Sequence, residues 1–417
     1  MNAQISFLDG TLSLIHIPLS LYPNFLQSIL QVLLPHSQPQ SQSQTTGPDL
    51  NGLTTTPHQQ HGFLNISVTP IECSIVCHSA WSKTVFEPAI KRLPKDLSKS
   101  VSISKDAYAV ISVISAGIDA GSRVVDLTSP LALAGIPIFF ITTYYSDFIL
   151  VPTKDRQSVV AALLARGFVF SEDESSFKSP SAAAAAAAFT TAHSRGPSQS
   201  SSGSDNNYNP PSTPPPSNVK ELQTRTFDLL KKRNVVPYID PDLRLVQCSG
   251  REHSSAMRGY NDQHRPSVSR KNTATNGGAA SFGAMRRSWV DTVDTKLYTS
   301  IISALASQPR FLSVTLAHGD PPSLLLDKCL LGIFGDSLVG PTEGTLVPIF
   351  LDLVNLPFEA TGIVSGVAGK LVEDMQMAES AELSYLSTAR AGAVILSWEQ
   401  SVKALGILKP LLVREGV

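Results

Sequence analysis

Residues 107–170 read AYAVISVISAGIDAGSRVVDLTSPLALAGIPIFFITTYYSDFILVPTKDRQSVVAALLARGFVF. Apolar residues alternate through Ala107–Ser115, the period of a half-buried strand. Val124, Val125, Leu127 and Leu131 then recur at helical spacing. IPIFFITT and DFILVP are β-branched and aromatic runs parted by a short polar turn, which predicts two strands. KDRQSVVAALLARG predicts an amphipathic helix, and FVF a last short strand. The order β-α-β-β-α-β is the split βαβ, or ferredoxin-like, arrangement.

Working outward, residues 343–410 repeat the pattern. TLVPIFLDL predicts a strand, GIVSGVAGKLVEDM a helix, ELSYLST and AVILS a strand pair, EQSVKAL a helix and GIL a last strand. The two stretches superpose without gaps at an offset of 245 residues, Ile118 on Ile363, Ile141 on Leu386, Thr143 on Thr388 and Ile149 on Val394. FLNISVTPIECSIVCHS from Phe63 and FLSVTLAHGDPPSLLLDK from Phe311 echo each other in the same way. Internal repetition of this kind sets the architecture. The expectation is an α+β protein of four ferredoxin-like βαββαβ units in a duplicated pair, with long disordered insertions. The units span 1–96, 101–170, 235–335 and 343–410.

Composition supports this division. Residues 35–60 are Gln, Ser, Thr and Pro; 171–218 hold Ala182–Ala188 and NPPSTPPPS; 249–284 are mostly Ser, Asn, Gly and Arg. Such segments bury too little apolar surface to offset their conformational entropy. They are read as an insertion at 35–60 in the first unit, a linker at 171–234, and an insertion at 249–287 in the third unit. In the last of these, basic residues beside Ser267, Ser269 and Ser288 suggest phosphorylation sites.

The chain has 417 residues, 42% hydrophobic and 16% charged, with 33 Lys and Arg against 34 Asp and Glu. This balance gives no reason to expect nucleic acid or an anionic membrane surface as a partner. The apolar run Leu131–Val151 is interrupted by Pro137 and Asp147 and is read as buried sheet, so no membrane insertion is expected. MNAQISF followed by Asp9 lacks the basic start of a secretory signal. Four cysteines without a framework fit a reducing compartment, and a cytoplasmic location is expected.

No catalytic residue, metal site or cofactor is predicted. Gly369-Lys370 lacks the Walker A glycine at position 364, which is Val364, and the following hydroxyl, where Leu371 stands. Cys73 and Cys77, four residues apart on a strand, are too distant to share one zinc ion. His16, His78 and His318 fall at strand positions without a paired nucleophile.

The run Thr142-Thr143-Tyr144-Tyr145-Ser146-Asp147-Phe148-Ile149-Leu150-Val151 resembles the hallmark of the second ACT domain in the CASTOR-type arginine sensors. FLNISVTPIECSIVC resembles the hairpin of their first ACT domain, and LVNLPFEATGIVSGVAGKL the start of the Gly-Ile-Val helix in their fourth. The ACT pair of aspartate kinases is a related group. The resemblance implies a non-enzymatic cytoplasmic sensor. It would bind a free amino acid between the second and fourth units and control docking onto a GATOR-type complex in TOR nutrient signalling. A homodimer stays open.

The resemblance also indicates where to look for a site. Thr361, Gly362 and Ile363 lead into a helix whose backbone N–H groups suit a carboxylate, with Glu359 and Ala360 just before them. Pro137 and Ile138 form the opposite wall, and Thr388, Ala389 and Gly392 complete the set. Gly362 and Gly366 would either admit a ligand to the backbone or serve packing. Two acidic positions of the arginine sensors align with Ala360 and Gly392, and a serine with Pro137. A guanidinium buried against Ala and Gly is costly to desolvate. The residues therefore argue against arginine and leave a neutral or small amino acid, or none, open. Tyr144, Tyr145 and Asp147, on the turn between two strands, form a candidate partner-docking surface. Two rivals stand beside the sensor: an ACT-repeat scaffold without a ligand, and an ACT regulatory relative of amino-acid biosynthesis enzymes.

Overall fold

The computed structural model describes residues 4–34, 62–114, 121–170, 215–251, 294–376 and 382–413. The insertions at 35–60 and most of 249–287, the stretch 171–214, and the Ser267, Ser269 and Ser288 sites lie outside the described residues.

In chain order the elements are β1 (Gln4–Phe7), β2 (Leu12–Pro18), α1 (Tyr22–Leu33), β3 (Phe63–Val68) and β4 (Glu72–His78). Helix α2 covers 79–91, its middle Ser82–Phe86 π-wound. There follow β5 (Ser102–Ile103), β6 (Tyr108–Ile114), α3 (Arg123–Leu133), β7 (Phe139–Thr142), β8 (Asp147–Pro152), α4 (Arg156–Leu164) and β9 (Val169–Phe170). Next come α5 (Val219–Lys232), β10 (Tyr238–Ile239), β11 (Leu245–Gly250), α6 (Thr295–Ala306), β12 (Leu312–Ala317), β13 (Ser323–Asp327), α7 (Leu331–Phe334) and β14 (Leu338–Val339). The last are β15 (Leu346–Asp352), α8 (Ile363–Met375), β16 (Ser384–Ser387), β17 (Ala391–Ser397) and α9 (Trp398–Leu412).

Pairing gives one strand order twice: β5-β2-β4-β3 and β14-β11-β13-β12. These two sets join where β3 pairs antiparallel with β12, Phe63 opposite Ala317 through Val68 opposite Leu312. In the other two stretches β8 lies between β6 and β7, and β17 between β15 and β16. They join where Ile141 of β7 faces Leu386 of β16. Contacts at Leu12 with Tyr108 and Leu245 with Leu346 close the strands into one ring.

Alternation along each strand divides the apolar residues between layers. Leu14, Val110, Phe148 and Phe350 enter a core shared by all four stretches. Their neighbours Ile15, Ile111, Ile149 and Ile349 face the helices on the outside.

Four features differ from the expectations. The residues 219–232, placed in the 171–234 linker on composition, form α5, whose Leu222, Thr226 and Leu230 are buried. The polar neighbours of those residues mask a narrow apolar stripe, and Asn218 caps the helix through Glu221 N–H. GIL (406–408) is not a strand; α9 runs through it to Leu412 and buries Leu408. The position beside β15 is filled instead by β10. Likewise β1 pairs with β6 and β9 rather than within 1–96. Each leading strand thus crosses to the following unit. The hydrogen bonding of β5 to β2 and of β14 to β11 also carries the first and third units past residues 96 and 335.

Candidate site at the β7–β16 seam

A cavity opens where the second and fourth stretches meet. One wall is the first turn of α8. Gly362 precedes this helix at φ +80°, a left-handed conformation that glycine adopts without strain. No side chain caps the helix, and among the described residues the N–H groups of Ile363, Val364 and Ser365 donate to no protein acceptor. Three convergent amides at the positive end of a helix form an anion-binding surface. The other walls are Ile138 and Phe139 at the start of β7, the loop residues Leu353, Leu356 and Phe358, and the turn from Ser387 to Ala389.

Of the residues expected from sequence, Ile138, Ala360, Gly362, Ile363, Thr388 and Ala389 line the cavity together. Pro137 is buried and Glu359 is exposed; with Thr361 and Gly392 they fall outside the lining. The glycines of α8 serve packing. A Cβ on Gly366 would stand 2.6–2.8 Å from three atoms of Thr226, and one on Gly362 would meet Leu222 at 2.6 Å. Both glycines therefore admit α5, whose Thr226 hydroxyl donates to the Gly362 carbonyl. Sequence reasoning placed α5 in a linker, so it could not see this partner.

Tyr385 was missed. It lies in the strand-like ELSYLST, where an aromatic side chain reads as core, and it is 1% exposed. Yet it lines the cavity, and its hydroxyl has no hydrogen-bond partner among the described residues. Burial pushes the phenol well above its ordinary pKa, so it stays neutral and can donate or accept.

The turn Thr388–Arg390 binds the cavity rim to β4. Glu72 of β4 is fully buried. Its Oε1 accepts from the Thr388 hydroxyl at 2.6 Å and from the Arg390 N–H at 2.5 Å, while Oε2 lies 2.5 Å from His16 Nδ1. The Arg390 guanidinium donates to the Leu356 carbonyl and stacks 4.0 Å from the Phe358 ring centre.

The docking triplet does not present one surface. Asp147 is 1% exposed and its Oδ2 lies 2.8 Å from Arg123 Nε. Tyr144 donates its N–H to Ser323 Oγ, and its ring covers Gly340. Tyr145 alone of the three is exposed, at 51%. The described residues hold no cluster of His, Cys, Asp and Glu suited to a metal, and no described helix is long and apolar enough to cross a membrane.

Residues 103–165 match the ACT domain family. The match falls on the stretch from β5 to α4 that supplies the β7 side of the cavity. Among solved structures, a protein from Agobacterium tumefaciens is similar at 19% identity, covering 41% of this chain and 93% of its own, with a TM-score of 0.25. An aspartate kinase from Synechocystis is similar at 10% identity, covering 99% of this chain and 57% of its own, TM-score 0.29. The ligand-free regulatory subunit of aspartate kinase from Thermus thermophilus shares 13% identity over 38% of this chain and 95% of its own, TM-score 0.23. No curated protein matches the chain.

Proposed function

We propose that this chain is a non-enzymatic regulatory protein of four ACT-like units in a duplicated pair, with an amino-acid site at the seam of the second and fourth. One observation carries the reading: the uncapped start of α8 forms the wall of a cavity whose other side comes from β7. The amides of Ile363, Val364 and Ser365 would receive the ligand carboxylate.

The same geometry supplies a route for output. Thr388 and Ala389 line the cavity, and the turn they start is held by Glu72 of β4. A ligand that prefers one setting of this turn would shift the population of packings between the turn and β4. By the resemblance, the output is docking onto a GATOR-type complex in cytoplasmic TOR nutrient signalling. Tyr145, next to the half-buried Tyr144, is the residue of the docking triplet available for it.

A scaffold without a ligand is the second reading, favoured by the filling of Gly362 and Gly366 by α5. A thermal-shift screen of the purified full chain against the twenty amino acids separates the two. A ligand at 100 times its Kd adds about 2.7 kcal/mol. A stabilising amino acid supports the sensor; twenty unshifted melting curves support the scaffold.

A further inference from the structure

The composition of the cavity wall goes further than the presence of a site. Among its lining residues there is no Asp, Glu, Lys, Arg or His. Ile138, Leu356, Phe358, Ile363 and Val364 dominate it. The lining hydroxyls of Ser365, Ser387 and Thr388 are engaged, with Ser129, the Phe140 N–H, and Glu72 respectively. Tyr385 Oη is the buried side-chain polar atom of the wall without a partner among the described residues. It stands 2.6 Å from where a Cβ on Gly392 would be, so the missing side chain at 392 gives the hydroxyl its room.

Resting on the amino-acid reading above, we infer that the cavity selects a zwitterionic amino acid with an uncharged aliphatic side chain, and that Tyr385 is a ligand-binding residue. A zwitterion carries no net charge, so its carboxylate can be met by the helix amides and its ammonium by neutral acceptors. A cationic or anionic side chain adds a net charge that this wall cannot compensate, and burying it is costly. The neutral phenol gives a polar group of the ligand one hydrogen bond in a dry setting. It is the hydrogen bond that the ligand-free fold leaves unmade.

The test compares leucine, isoleucine and valine with arginine, lysine and aspartate by calorimetric titration of the full chain, wild type and Tyr385→Phe. The expected result is binding of at least one aliphatic amino acid, with the three charged ones at least about 100-fold weaker; that ratio corresponds to about 2.7 kcal/mol. Tyr385→Phe should weaken aliphatic binding about 3- to 10-fold, the range for one hydrogen bond. The same substitution should leave the melting temperature of the ligand-free protein unchanged or raised, since it removes an unpartnered buried hydroxyl. Arginine or lysine binding as tightly as leucine overturns the inference while leaving an amino-acid site standing. Equal leucine affinity in wild type and Tyr385→Phe overturns the role of Tyr385. No binding of any of the six overturns the inference, and the twenty-amino-acid screen then decides whether the site reading falls with it.

Discussion

The Thr388 hydroxyl donates to Glu72 at 2.6 Å, across 316 residues of chain, from the turn after β16 to β4. Glu72 is fully buried, and its other hydrogen bonds run to Arg390 N–H and His16. A carboxylate taken out of water persists only with such partners. The contact ties the cavity-lining turn to β4 of the first stretch.

Glu72→Ala should therefore be costly. It strands the Arg390 N–H and His16 in a dry site and leaves the Thr388 hydroxyl only its longer bond to the Ala391 carbonyl, for about 3 kcal/mol or more. Thr388→Val should cost about 1–2 kcal/mol, and the double variant less than the sum. Urea unfolding of the four proteins checks this; additive losses would mean that the two side chains are not coupled.

Gly366→Val should loosen α5 from α8. The added Cβ would fall within 2.8 Å of Thr226, and overpacking typically costs about 1–3 kcal/mol. Thr226→Gly in the same chain, which removes all three of the Thr226 atoms within that distance, should recover part of the loss. Denaturant midpoints of the single and double variants are the readout, and no recovery would show the strain to lie elsewhere.

How far the sequence went is clear from these elements. The pairing of Ile141 with Leu386 joins two residues equated by the 245-residue repeat, because the repeat places the same strand on both sides of the seam. Alternation and helical spacing are local signals, and they located most of the strands and helices at this seam. Helix α5 was hidden because only Leu222, Thr226 and Leu230 of its residues are buried, too few to mark a polar segment as folded. Asp147 looked exposed because it follows a turn, yet Arg123 of α3 draws it inward. Tyr385 was illegible for a different reason. Whether a buried phenol has a partner depends on residues from other elements, and sequence spacing carries no such information.

Acid should weaken the fold through His78. Its Nδ1 accepts from Ala80 N–H at the start of α2, which requires an unprotonated nitrogen. Burial holds the folded pKa below the ordinary 6.5. A depressed histidine favours the neutral ring, so its stabilisation is complete above about 6.5 and declines as pH falls from there through the folded value. His78→Asn keeps a capping acceptor but does not titrate. Melting temperatures between pH 7.5 and 5.5 should fall less steeply for the variant; parallel slopes would remove His78 from the account.

Ala360→Glu should alter ligand choice. Ala360 lines the cavity and is half-buried, so a glutamate there supplies the negative charge that the wall lacks. Affinity for arginine and lysine should rise at least about 10-fold, and that for leucine should fall. Calorimetric titration of each amino acid reads the exchange, and unchanged preferences would show that position 360 does not face the ligand.

The most direct test of the site is amide hydrogen exchange along α8 in the full chain, with and without saturating leucine. The amides of Ile363, Val364 and Ser365 should slow on addition of leucine, while those of the exposed end of α9 stay as they were. Unchanged exchange at these three amides under conditions where leucine binds would place the ligand elsewhere and contradict the account.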